Sequence, residues 1–121
     1  MNSSGSKKPG SDRDLVVWQK AMMLAKLIHG LTRTFPSDEK SGLTSQIRRA
    51  AVSIPSNIAE GQARRGSREF IQFIAQAGGS LAELDTQLTL ASDLGHTDRS
   101  QAGEAVALIE ELRRKLETPR T

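Results

Sequence analysis

The sequence predicts an all-α fold, an antiparallel up-down-up-down bundle of four helices. Three observations carry this. Apolar residues recur at alternating steps of three and four through four successive segments. Pro and Gly punctuation falls between those segments. The core is left to Leu, Ile, Ala and Val, with one Trp, three Phe and no Tyr in 121 residues. Such a composition suits slim helices packed closely rather than an aromatic-rich sandwich. With 36% apolar residues and ten glycines, about 44% together, the chain has enough apolar surface for a core.

The domain is expected over residues 14–118, after a flexible tail, 1–13, rich in Ser, Gly, Lys and Pro. The first helix is expected from about Leu15 to Thr34, with Val17, Ala21, Leu24, Ile28 and Leu31 on one face and Asp14 as its cap. Phe35-Pro36 ends it, because the residue before proline avoids the α region. Ser37, Asp38 and Glu39 supply a cap and acidic first turn for a second helix. Its stripe is Leu43, Ile47, Ala50, Ile54 and Ile58, and it stops near Gly61 to Gly66.

Ser67 caps a third helix with a strict seam, Phe70, Ile74, Ala77, Leu81, Leu84, Leu88 and Ala91. Ile71, Phe73, Leu90 and Leu94 are expected to widen that seam. Gly78-Gly79-Ser80 lowers helix propensity by roughly 1 kcal/mol per glycine, and close approach of a neighbouring backbone is the expected return. Gly95 ends the helix. Thr97-Asp98 opens the fourth, with Ala102, Ala105, Ile109, Leu112 and Leu116 inward and the pairs Glu110/Arg114 and Glu111/Lys115 outward.

Several functional classes recede on composition. The absence of Cys excludes disulfides and thiolate metal sites. No apolar run approaches the roughly 20 residues of a membrane span, and no hydrophobic segment follows the N-terminal lysines. A cytoplasmic protein without cofactor or metal is expected. His29 and His96 lie in different elements without a spaced carboxylate partner, and Asp93-x-x-His96 is not a metal-site spacing. With no nucleophile–base constellation and no phosphate-cradling glycine loop, no enzyme is expected.

Charge is uneven along the chain. Residues 13–68 carry ten Lys/Arg and four Asp/Glu, a balance of +6, whereas residues 69–121 carry five and nine, a balance of −4. Such asymmetry suggests a basic surface meeting an anion, or two surfaces of opposite charge meeting each other.

The segment RRAAVSIPSNIAEGQARRGSREF, residues 48–70, concentrates the information. Pro55 falls inside the second helix, removes one backbone hydrogen bond and is expected to bend the helix, with Ser or Asn groups serving the freed backbone. Beside the apolar stripe runs a polar one, Gln46, Arg49, Ser53, Asn57, Glu60 and Arg64. Gln76, Ser80, Glu83 and Gln87 form its counterpart on the third helix. These stripes read as solvated faces, or as a wet subunit interface in which Arg49 or Arg64 pairs with Glu60 or Glu83.

The stretch FPSDEKSGLTSQIRRAAVSIPSNIAEGQARRGSREF, with WQKA upstream and GGSLAELDTQL downstream, resembles a four-helix-bundle family encoded within intervening sequences of bacterial 23S ribosomal RNA genes. The resemblance covers roughly Leu15 to Leu94, and its most specific part is the RRA-x-SIPSNIAEG core. It implies a left-handed antiparallel bundle that assembles as a ring-like homopentamer. The fold is similar to that of the accessory protein of diversity-generating retroelements, a basic pentamer that binds nucleic acid. Many members of the family carry an aromatic residue where this chain has Ser41, and a tyrosine near His29. Lacking Tyr and an aromatic ladder, the chain is not expected to stack bases as single-strand binders do.

Together these readings predict a non-catalytic homo-oligomer that binds nucleic acid, RNA above DNA. Arg48, Arg64, Arg65, Arg68 and Lys40 are the expected contacts, because arginine forks match phosphate geometry. Arg49, Asn57, Glu60 and Glu83 are the expected oligomer interface. The alternative is a scaffold that recruits a partner protein without touching nucleic acid.

Overall fold

The computed structural model of the protein describes residues 11–117, which form four α-helices and no strand. Helix α1 spans Ser11–Thr32, α2 Leu43–Ala63, α3 Arg68–Asp93 and α4 Arg99–Glu117. A short 3-10 turn, Ser37–Glu39, joins α1 to α2. Each helix packs against its neighbours in the chain, and α1 also packs against α4, closing the bundle.

Every predicted helix is present, with shifts at the ends. α1 begins at Ser11, before the expected Leu15, with Asp12 and Asp14 in its first turn complementing the positive end of the helix dipole. The tail expected over residues 1–13 thus lies outside the described residues except for Ser11–Arg13, which are helical. Ser37, Asp38 and Glu39 form a turn of their own rather than the first turn of α2. Glu39 still serves α2 from a distance, since its Oε1 accepts the Leu43 N–H at 3.3 Å.

The four predicted stripes face inward. Leu24 and Ile28 of α1, Ile47, Ile54 and Ile58 of α2, Leu81 and Leu84 of α3, and Ile109 and Leu112 of α4 are all sealed from solvent. The expected widening of the α3 seam does not occur at Ile71, Leu90 and Leu94, which are 56%, 47% and 53% exposed. They lie off the stripe that meets α2 and α4. Among the outward pairs, Lys115 lies 3.8 Å from Glu111, while Glu110 is paired with Arg113.

α2 continues unbroken across Pro55, which is buried. The proline cannot donate to the Ala51 carbonyl. Side chains attach instead to the next two carbonyls: Ser56 Oγ donates to Val52 O at 2.9 Å, and Asn57 Nδ2 to Ser53 O at 2.9 Å.

The close approach expected at Gly78-Gly79 is found elsewhere. A Cβ at either position would meet nothing within 4 Å, because Ala77 rather than its glycine neighbours sits on the buried seam. Gly61 is the tight contact. A Cβ there would lie 3.1 Å from Ile74 Cδ1 and 3.3 Å from Phe73 Cβ, so the absence of a side chain lets α2 close on α3.

α3 ends in a Schellman motif. The N–H of Gly95 bonds to Ser92 O at 3.0 Å and that of His96 to Ala91 O at 2.9 Å. The motif needs a residue at positive φ, and Gly95 supplies it at +82°. Asp98 then caps α4, its Oδ1 accepting the Gln101 N–H at 2.8 Å.

Candidate nucleic-acid interface

The predicted contact residues divide into two groups at opposite ends of α2. At its C-terminal end, Arg64 and Arg65 are engaged within the chain. Arg64 pairs with Glu60 one turn earlier and stacks over Phe73 at 4.9 Å. Arg65 pairs with Asp14 of α1 and stacks over Phe70 at 4.7 Å. The Gln62 side-chain amide reinforces the same junction, its Nε2 donating to Asp14 O at 2.8 Å. These arginines tie the start of α1 to the α2–α3 corner, so much of their charge is already balanced. Arg68 is exposed and makes no ion pair among the described residues.

At the N-terminal end of α2 the situation is reversed. Arg48 is half-buried, and its Nε donates to Thr32 Oγ1 at 2.8 Å while a terminal nitrogen donates to His29 O at 3.3 Å. It thereby closes the C-terminal end of α1, where the helix dipole favours a cation. Its partners are neutral, so its charge stays uncompensated. Arg33 and Lys40 are exposed beside it and have no acidic partner among the described residues. The three cations line one pocket of about 280 Å³ with Thr32, Phe35, Pro36, Ser37 and Thr44, and no Asp or Glu is in its wall.

Arg33 is the residue that the sequence reading missed. A signal was available: Lys26, His29 and Arg33 are spaced at steps of three and four, and all three are exposed, the first two on α1 and Arg33 just after its end. The expected interface residues also separate. Arg49 and Glu83 line a single polar groove of about 480 Å³ between α2 and α3, together with Ser53 and Gln87. Asn57 is occupied with Ser53, and Glu60 with Arg64. The two polar stripes do meet, through a hydrogen bond between the Ser53 and Ser80 hydroxyls.

Near the Arg33–Lys40 pocket, His96 and Glu39 form a contact that sequence spacing did not suggest, 57 residues apart. His96 Nε2 lies 2.9 Å from Glu39 Oε2, and its ring packs on Phe35 with centroids 5.5 Å apart. The His96 hydrogen bond, with help from the Leu43 N–H, holds the Glu39 carboxyl below its ordinary value of 4.5. A carboxyl with a depressed folded-state pKa contributes stability that is complete above the unfolded value and disappears as pH falls through the folded one. Thermal melts of wild type and Glu39→Gln should therefore differ near neutral pH, begin to converge as pH falls past about 4.5 and meet only below the depressed folded-state value. A difference that persists undiminished into acid would assign the effect to packing rather than to the carboxylate.

Among the described residues, no helix is long and apolar enough to cross a membrane. A family model described as 23S rRNA-intervening sequence protein matches residues 13–118. No curated protein matches the chain.

Proposed function

The chain belongs to the 23S rRNA-intervening sequence protein family, and from that premise we propose that it is a non-catalytic, cytoplasmic, homo-oligomeric bundle of up-down-up-down order that binds RNA through its basic surface. The observation that carries this reading is the convergence of Arg33, Lys40 and Arg48 with no carboxylate in the wall around them. Cations held together without counter-charge repel one another, and a polyanion relieves that repulsion while releasing its own counterions. Arg68, the first residue of α3, would add a further contact beyond the far end of α2. From Arg48 to the end of α2 at Ala63 the helix rises roughly 22 Å, so the two ends would address different phosphates of one strand. Arg64 and Arg65 would contribute through whatever hydrogen-bonding capacity their ion pairs leave.

Self-association is supported by the exposed Ile71, Leu90 and Leu94 on α3, and by the groove in which Arg49 and Glu83 lie together. A ring of identical subunits, a pentamer in this proposal, would cover those apolar side chains and repeat the basic patch around its circumference.

Gel-shift or anisotropy titrations of single-stranded RNA over a range of salt test the proposal, with light scattering on the same sample. Log affinity should fall linearly with log salt, with a slope of about −0.7 per neutralised phosphate. Scattering should give a mass several times 13.1 kDa. A monomer would remove the ring. Salt-independent binding, or none, would favour a scaffold that recruits protein instead.

A further inference from the structure

We infer that the pocket between the end of α1 and the start of α2 holds the terminal phosphate of an RNA strand, a phosphomonoester rather than a backbone diester. The inference rests on the RNA-binding reading above and specifies which phosphate the site prefers. Its volume of about 280 Å³ falls below the roughly 300–1,000 Å³ of drug-sized ligand sites, which suits a phosphoryl group with part of its sugar.

Charge matching selects the monoester. Arg33, Lys40 and Arg48 bring three positive charges to one pocket without an acid in its wall. A backbone phosphate brings one negative charge, whereas a terminal one brings about −1.5 to −2 at neutral pH by analogy with phosphorylated side chains. The dianion is the better counterpart. Glu39, next to Lys40 in the chain, is occupied by His96 through one oxygen and by the Leu43 N–H through the other.

The donors are also arranged in advance. Arg48 is fixed by Thr32 Oγ1 and His29 O, two contacts that leave the rest of its five N–H donors for a ligand. A guanidinium already immobilised loses little further entropy when it binds an anion. Ser37 adds an exposed hydroxyl to the same wall.

The test compares one RNA sequence in three forms: 5′-phosphorylated, 3′-phosphorylated, and with hydroxyls at both ends. One phosphorylated form should bind about tenfold or more tightly than the hydroxyl form, the effect of one further charge-assisted hydrogen bond. In the double variant Arg33→Gln/Lys40→Gln, that ratio should fall to about one, whatever happens to overall affinity. Both side chains are exposed, and melts of the variant should match wild type. Equal binding of all three forms with a steep salt slope would overturn the terminal-phosphate inference and leave RNA binding standing. No binding of any form would overturn both. Competition by inorganic phosphate or a nucleoside monophosphate as effective as that of phosphorylated RNA would identify a free phosphate ligand and overturn the assignment to an RNA end.

Discussion

Gly61→Leu should destabilise the protein by about 3 kcal/mol, the upper end of what overpacking a core costs, and lower Tm by roughly 15 °C for a domain of this size. The position is buried, and even a Cβ would approach Ile74 Cδ1 to 3.1 Å and Phe73 Cβ to 3.3 Å. Phe73 carries Arg64 on its ring, so pushing the α2–α3 corner apart also disturbs that stack. Alanine is the informative comparison. Its helix propensity gain over glycine, about 1 kcal/mol, opposes a clash of a few tenths of an ångström, and the net change should be small. Gly79→Ala meets nothing within 4 Å and should stabilise by the propensity gain alone. If Gly61→Leu melted like wild type, α2 and α3 would not be held at this spacing, and the corner would be looser than the geometry indicates.

These glycines show which features were legible in the sequence. Periodicity placed the four helices and their buried faces, because a stripe such as Ile47, Ile54 and Ile58 depends only on local spacing and on the need to exclude apolar groups from water. Capping signals were legible only in part: Asp14 lies inside α1 rather than capping it, and Ser67, at the N-cap position of α3, makes no side-chain cap bond and turns its hydroxyl to Arg64 O instead. Asp98 caps α4 as expected, and Gly95 ends α3 with the required positive φ. Propensity cannot say which glycine meets a neighbour, since that depends on how two helices cross. Two adjacent glycines in α3 drew attention, yet the contact lies at a single glycine in α2.

The site was less legible for the same reason. The cluster at residues 64–68 looked free because its neighbours in sequence are mostly neutral, but Asp14 lies 51 residues before Arg65 and reaches it only through the fold. Arg48 was recognisable as basic, but its anchoring on Thr32 and His29 depends on the end of α1 arriving beside the start of α2. Arg33 continues the spacing of Lys26 and His29, but in sequence nothing ties it to the start of α2. Only the turn through Phe35 and Ser37 brings it beside Lys40 and Arg48. Charge in this chain is therefore distributed by pairing: the corner of α2 and α3 consumes arginines to hold the bundle, and the opposite end leaves them available.

Leu84→Ala should cost about 3–4 kcal/mol, within the range for deleting a buried leucine and leaving a partly relaxed cavity. Leu84 is 0% exposed on the seam of α3, sealed in the core that Ile54, Ile58 and Leu112 help to form. Leu90, six residues later on the same helix, is 47% exposed and provides the control. In an isolated subunit, Leu90→Ala should change stability by about 0.5 kcal/mol or less, as surface substitutions usually do. In an assembly that covers α3, the same substitution would act on a buried side chain, and its cost would grow with protein concentration because association stabilises only the folded form. Melts of both variants at low and high micromolar concentration separate the cases. Leu84→Ala should lose stability at every concentration, while Leu90→Ala should match wild type when dilute and fall below it when concentrated. If Leu90→Ala matched wild type throughout while the protein still scattered as an oligomer, the apolar flank of α3 would not be the contact surface, and the Arg49–Glu83 groove would be the face left to hold subunits together.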